Sequence, residues 1–232
     1  MTDFQSSLNN EANIRETKLA SEKQPAVDLK QVKFRWPKTK QAILDIPAFT
    51  IQAQQHLFVK GPSGSGKSTL LSLLTAINTP EQGSISLLGV DICQLKQGQR
   101  DQFRADNIGY IFQQFNLLPY LSVIDNVCLA CEFSRQRKQK VMAKHAISKD
   151  PIRSEAIRLL TALNLPTEIQ DQKANQLSIG QQQRVAAARA LMGSPSLVIA
   201  DEPTSSLDHD NREAFIQLLM QEVTRNQATL IF

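Results

Sequence analysis

The sequence predicts a layered α/β domain on a mostly parallel sheet, with a helical subdomain inserted into it. Short apolar runs of strand length ("HLFVK", "NIGYIFQ", "SLVIADEP", "NQATLIF") alternate with helical stretches, which favours buried parallel strands crossed by helices. One of these runs feeds a glycine-rich turn, "GPSGSGKSTLL", that passes straight into a leucine stripe at helical spacing. Between about 117 and 176 no such run occurs and the chain reads as helix. The expected layout is a flexible polar extension over 1–24, a core formed by 25–116 and 177–232, and a helical subdomain over 117–176.

A chain of 232 residues is long enough to bury a sizeable core. Its 41% apolar and 21% charged residues argue against a disordered chain. A net charge of +4 and a pI of about 9.0 suit polyanions without selecting one. Cys93, Cys128 and Cys131 form no disulfide framework, and Cys128 and Cys131 have no second Cys or His pair at zinc spacing. They read as reduced core thiols of a cytoplasmic protein. No run approaches the roughly 18 apolar residues of a bilayer span, and the N-terminus shows no apolar leader, so a membrane role is expected to come through a partner.

Taken in order, order begins near Val27. "VDLKQVKFRW" alternates, which predicts a strand with Val32, Phe34 and Trp36 on one face, stopped by Pro37. "HLFVK" reads as a short buried strand, and Leu70, Leu71, Leu74 and Ile77 as a helical stripe ending at "NTP". "SISLLG" and "NIGYIFQ" flank a polar helix, "QGQRDQFRA". The helical segments "YLSVIDNVCLACEF" and "PIRSEAIRLLTALNL" flank a basic stretch holding Arg135, Arg137, Lys138, Lys140 and Lys144. That stretch reads as a solvated helix or loop face, with contact to anionic lipid or nucleic acid as the alternative.

The residues Gly61, Pro62, Ser63, Gly64, Ser65, Gly66, Lys67 and Ser68 fit G-x-x-x-x-G-K-[ST] between strand and helix. Glycines let the backbone wrap so that successive N–H groups face an anion, and the helix amino end adds its dipole. Lys67 supplies a charge to the β and γ phosphates, the Ser68 hydroxyl can ligate Mg2+, and Thr69 helps hold the α phosphate. The strand "SLVIA" delivers Asp201 at its carboxyl end, where it serves as the magnesium partner. Glu202 follows as the candidate base for an attacking water, a role worth about 10² to 10⁴ in rate. Further on, Ser178 is a good N-cap for the helix "QQQRVAAARALM", closed by Gly193 and Pro195. Residue chemistry leaves two readings there, a well-capped helix or a second anion site.

Taken together, "GPSGSGKST", "YIFQQFNLLP", "LSIGQ" and "SLVIADEPTSSLD" resemble the ATP-binding subunit of an ABC transporter, from about 27 to 232. That resemblance implies a P-loop ATPase core and a second copy of the chain facing head to tail. ATP would lie between the phosphate loop of one copy and Ser178, Gly180 and Gln181 of the other. Ile179 departs from the family's glycine. The resemblance further assigns Trp36 to stacking on adenine, Gln113 to Mg2+ or the attacking water, and Asp208 in "SSLD" to a link between the two sites. A switch histidine normally follows the last strand, but here the chain stops at Phe232, so a truncated chain with weakened hydrolysis is expected. Within the family the motifs look most like the lipoprotein-release and macrolide-export branch. The implied assembly is a cytoplasmic ATPase held peripherally at the membrane by a transmembrane permease, with no nucleic acid. An ATP-gated scaffold with slow turnover and a soluble nucleic-acid-associated ATPase are the alternatives.

Overall fold

A computed structural model describes residues 24–232 apart from 38, 40, 63 and 206–208. The polar extension up to residue 23, Ser63 and Asp208 therefore lie outside the described residues. The strands are β1 (Val27–Phe34), β2 (Leu44–Ile51), β3 (His56–Leu57), β4 (Gln82–Leu87), β5 (Val90–Asp91), β6 (Ile108–Ile111), β7 (Leu197–Ala200) and β8 (Thr229–Ile231). The helices are α1 (Lys67–Leu74), α2 (Gln97–Asn107), α3 (Val123–Phe133), α4 (Arg135–Lys144), α5 (Pro151–Ala162), α6 (Ile179–Leu191) and α7 (His209–Arg225).

The parallel sheet has the order β3-β8-β7-β6. Beside it stands an antiparallel sheet, β2-β1-β4-β5, which the alternation along β1 signals: Val27, Leu29, Val32 and Phe34 are buried while their neighbours face outward. β7 is buried on both faces, and its alternate residues feed two cores. Leu197 and Ile199 join a cluster with α1 and the antiparallel sheet, whereas Val198 and Ala200 join one with α3, α5, α6 and α7. This two-sided burial holds the carboxyl end of β7, where Asp201 begins, against movement in either direction.

Several local expectations are corrected. The strand expected in "HLFVK" is only His56–Leu57, and Phe58 is 64% exposed, because β3 ends the strand order and pairs with β8 alone. Phe58 rests instead on Phe232, with ring centroids 5.3 Å apart. Helix α1 stops at Leu74, so Ile77 lies beyond the buried stripe. β1 ends at Phe34, which leaves Trp36 outside the strand and exposed.

The basic stretch is not simply a solvated face. Arg137, on α4, is 3% exposed and donates to the carbonyls of Ala190 (3.4 Å), Met192 (3.1 Å) and Ile108. Lys140 donates to the Ser194 carbonyl at 3.3 Å, and Lys144 to Glu155 at 2.9 Å. The cause is the carboxyl end of α6, whose last carbonyls lack helical partners and carry partial negative charge. Of the five, Arg135 and Lys144 stay exposed and Lys138 is half-buried.

A buried ion network ties α4 and α5 to α7. Glu155, almost wholly buried, accepts from Arg158, Lys144 and His145, while Arg158 also donates to Glu222 of α7 at 2.9 Å. Burial by itself would raise the Glu155 carboxyl, but the hydrogen bonds from Arg158, Lys144 and His145 outweigh it and bring it down from 4.5 to about 2. A folded value below the unfolded one gives stability that is complete above about 4.5 and is lost as pH falls through about 2. Urea unfolding followed from pH 7 to pH 2 is therefore expected to show E155Q losing most stability, relative to wild type, at neutral pH and least near pH 2. An equal loss across that range would contradict the assigned network.

Candidate functional site

The phosphate loop joins β3 to α1. Gly64 and Gly66 hold φ of 77° and 93°, left-handed conformations that side-chain-bearing residues adopt at a cost. Gly66 is the N-cap of α1 and offers no side-chain hydrogen bond, so the first-turn N–H groups remain available to an anion. Ser65 N–H closes the turn onto the Pro62 carbonyl at 3.2 Å, and Gly61 packs against the Ser65 side chain. Lys67 bends into the loop, donating to the carbonyls of Gly61 (2.8 Å) and Pro62 (3.1 Å). Thr69, in the same first turn, is buried.

Across from the loop, the pairing of β6 with β7 places the acidic residues. Ile111 stands opposite Ala200, and the Asp201 N–H donates to the Ile111 carbonyl at 3.0 Å. Two residues beyond that last pair, Gln113 leaves β6 and Glu202 leaves β7, and Gln113 Nε2 reaches Glu202 Oε2 at 3.4 Å. Glu202 also lies 3.9 Å from Lys67 Nζ. Its φ of 45° is left-handed, a conformation costing on the order of 1–3 kcal/mol of the sort that collects at functional sites. Ser68 Oγ lies 3.4 Å from Asp201 Oδ1. Burial raises the Asp201 carboxyl, with Glu202 adding to the rise and Ser68 and Lys67 opposing it.

Lys67, Ser68, Asp201, Glu202 and Gln113 thus converge. Lys67, Asp201 and Glu202 border a cavity of about 550 Å³ whose wall continues through Phe58, Leu71, Ile216 and Phe232. The hydroxyl of Ser68 and the carboxylate of Asp201 form a hard-oxygen donor set, which fits a small divalent cation.

Trp36 is 38% exposed and meets Phe34 edge-on, with centroids 5.0 Å apart and planes at 87°. Ser178 caps α6: its Oγ accepts from Gln181 N–H at 3.3 Å, and Gln181 Oε1 accepts from Ser178 N–H at 2.9 Å. Ser178 and Ile179 are exposed and Gly180 half-exposed, so this helix end faces outward. Ser178 and Gln181 spend these hydrogen bonds on their own helix rather than on the phosphate loop.

Two residues of α6 take part without having been singled out from the sequence. Gln183 is fully buried and donates to the Pro203 carbonyl, directly after Glu202. Arg189 donates to the carbonyls of Phe115 (2.6 Å) and Asn116 (2.7 Å), the left-handed turn that follows Gln113. The helical period of "QQQRVAAARAL" supplies a signal for both, since it sets the two polar groups among buried alanines.

Residues 44–205 match the family described as ABC transporter. An ABC transporter ATP-binding protein of Mycobacterium tuberculosis (strain ATCC 25618 / H37Rv) is 37% identical over 213 residues, covering 90% of this chain and 80% of the relative. The macrolide export ATP-binding/permease protein MacB of Rhodopirellula baltica is 36% identical over 181 residues, 78% of this chain but 25% of MacB. Among solved structures, a dimeric post-hydrolysis state of the ATP-binding cassette MJ0796 bound to ADP and Pi matches with a TM-score of 0.76 and 33% identity, covering 88% of this chain and 86% of that one. A protein of that name comes from Methanocaldococcus jannaschii.

Removing the Lys67 ammonium with K67A is expected to weaken binding of a fluorescent ATP analogue by roughly 10- to 150-fold, the equivalent of a charge-assisted hydrogen bond of about 1.5–3 kcal/mol. The far-UV circular dichroism should not change.

Proposed function

We propose that this chain, which belongs to the ABC transporter ATP-binding family, closes in pairs around ATP and drives a separate membrane permease of the export or lipoprotein-release type. As a member of that family it binds and hydrolyses ATP. The observation that carries the hydrolytic reading is the meeting of Gln113 with the strained Glu202, across from Lys67 and the phosphate loop.

In this reading the loop N–H groups of Gly61, Ser63, Gly64, Ser65 and Gly66 cradle the β phosphate, while Lys67 neutralises charge between the β and γ phosphates. The Glu202 carboxylate accepts a proton from the attacking water and Gln113 orients that water. Ser68 and Asp201, with Gln113 beside them, would hold Mg2+, which when bound neutralises phosphate charge. Thr69 steadies the α phosphate from the first turn of α1, and Trp36 offers its free face to the adenine.

The outward-facing helix end at Ser178 supports the paired arrangement. Ser178, Gly180 and Gln181 of one copy would complete the phosphate site of the other, and Asp208 would link the two sites. The solved relative with ADP and Pi is itself dimeric. Ile179, 56% exposed, keeps its backbone N–H but presents a branched side chain to the opposing copy. Among the described residues no helix is long and apolar enough to cross a membrane. Attachment through a permease at the cytoplasmic face would therefore bring the ATPase to the membrane.

Replacing Glu202 with Gln removes the proton acceptor and spares the binding groups. Light scattering is expected to show E202Q shifting to twice the wild-type mass in MgATP, with turnover lowered by about 10² or more. A variant that stays monomeric at saturating MgATP would overturn the paired site.

A further inference from the structure

Arg137 has the environment of neither a surface cation nor an ordinary ion-pair partner. It is 3% exposed, and its guanidinium donates to three backbone carbonyls: Ala190 and Met192 at the carboxyl end of α6, and Ile108 at the first residue of β6. Among the described residues its Nε has no partner. Burial pulls the guanidinium down to about 10, with Cys131 and Asp106 opposing, so it remains charged near neutral pH. A buried cation without a bonded carboxylate is expensive to keep, and here the exposed carbonyls and dipole of the α6 terminus offset that expense. The seat is tight: Gly193 holds φ of 74°, and a Cβ there would stand 2.4 Å from the Arg137 Cβ. Ser134 fixes the start of α4 by donating to Asp106 of α2 and by capping Arg137 N–H at 3.0 Å.

Both elements that Arg137 joins lead to the nucleotide chemistry. β6 runs from Ile108 to Ile111, two residues before Gln113, and α6 runs back from Leu191 to Ile179, next to its cap Ser178. At the other end of β6, Arg189 of α6 already holds the turn after Gln113 through the Phe115 and Asn116 carbonyls. The helix and the strand are thus tied twice, once at the Gln113 turn and once, by a residue from outside both, at the end remote from the nucleotide.

We infer that Arg137 is a positioning residue for ATP hydrolysis: by locking the carboxyl end of α6 to the start of β6, it makes Ser178 and Gln113 move as one body. Because Gln113 serves the chain's own nucleotide and Ser178 the partner's, that coupling would set both sites of the pair in one register; this last step rests on the paired reading above. Loss of Arg137 leaves the phosphate loop, between β3 and α1, untouched and lets α6 slip against β6.

The test compares R137M, of similar length and uncharged, with R137K, which keeps the charge but not the fork of donors. Both are assayed for MgATP turnover, for nucleotide affinity of the isolated copy and for ATP-dependent dimer formation. The expected result for R137M is a kcat lowered by roughly 10- to 100-fold, as misplacement of reacting groups does, with KM within about twofold of wild type. R137K should fall between. Wild-type kcat in a folded R137M or R137K would overturn the inference. So would a loss of nucleotide affinity in proportion to a drop in melting temperature, which marks a role in general stability. If R137M does not fold, R137K decides alone by the same kcat-against-KM split. S178A, measured beside them, keeps the two readings apart. Undiminished pairing in S178A refutes the paired site, whereas the kcat split at Arg137 is read on turnover and does not depend on pairing.

Discussion

The parallel pairing of β6 with β7 is the constraint on which the site depends. Four consecutive residue pairs, Ile108 with Leu197 through Ile111 with Ala200, set the register, and the Asp201 N–H extends the ladder by one bond. A shift by one residue would turn Gln113 and Glu202 to opposite faces and separate two groups that meet across from the loop. β7 resists such a shift because both of its faces are packed: moving Val198 and Ala200 out of one core moves Leu197 and Ile199 out of the other. Side-chain burial along a four-residue strand therefore sets the position of a carboxylate that is itself half exposed. The strain at Glu202 is tolerated for the same reason, since the strand before it has nowhere else to go.

Much of this was legible in the residues. The phosphate loop announces itself because its chemistry is local: glycine, lysine and serine at set spacing produce the nest wherever a strand leads in and a helix leads out. Asp201 and Glu202 were legible for a related reason, since in a chain that carries a phosphate loop a wholly apolar run ending in acids reads as a buried strand delivering them at its edge. The antiparallel sheet was less clear, though the alternation in β1 pointed to it, because pairing partners distant in sequence leave no mark on one another. In the basic stretch the helix and its exposed Arg135 and Lys144 are legible, but the packing of Arg137 and Lys140 is misread. Arg137 and Lys140 look like surface charges in any window of the sequence, and what buries them, the open carbonyls at the end of α6, lies more than fifty residues away.

That misreading has a general physical cause. A buried carboxylate such as Glu155 advertises partners of opposite sign, and Lys144, His145 and Arg158 are near enough in sequence to suggest them. A buried arginine bound to carbonyls advertises nothing, because its partners are backbone and every residue has one. Gln183 belongs to the same class: its amide is bound to the Pro203 carbonyl, and its identity matters for where the group lies, not for a pattern it completes.

Helix α6 gathers these hidden contacts. From its amino end the Ser178 cap faces outward, Gln183 then touches the loop after Glu202, Arg189 holds the turn after Gln113, and its carboxyl end receives Arg137 and, just beyond, Lys140. Its middle is alanine-rich and fully buried, which allows close approach to β6 and β7 and leaves polar contacts to its flanks and ends. The approach is close enough that a Cβ at Gly109 of β6 would stand 2.2 Å from the Ala190 carbonyl oxygen. A helix held this way can move only as a rod. Any displacement of its exposed end is then felt at the Gln113 turn and behind Glu202, and any rearrangement around Glu202 is returned to the exposed end. The packing thus links the outward-facing end of α6 to the turn after Gln113 and the loop after Glu202, with no room for a local adjustment.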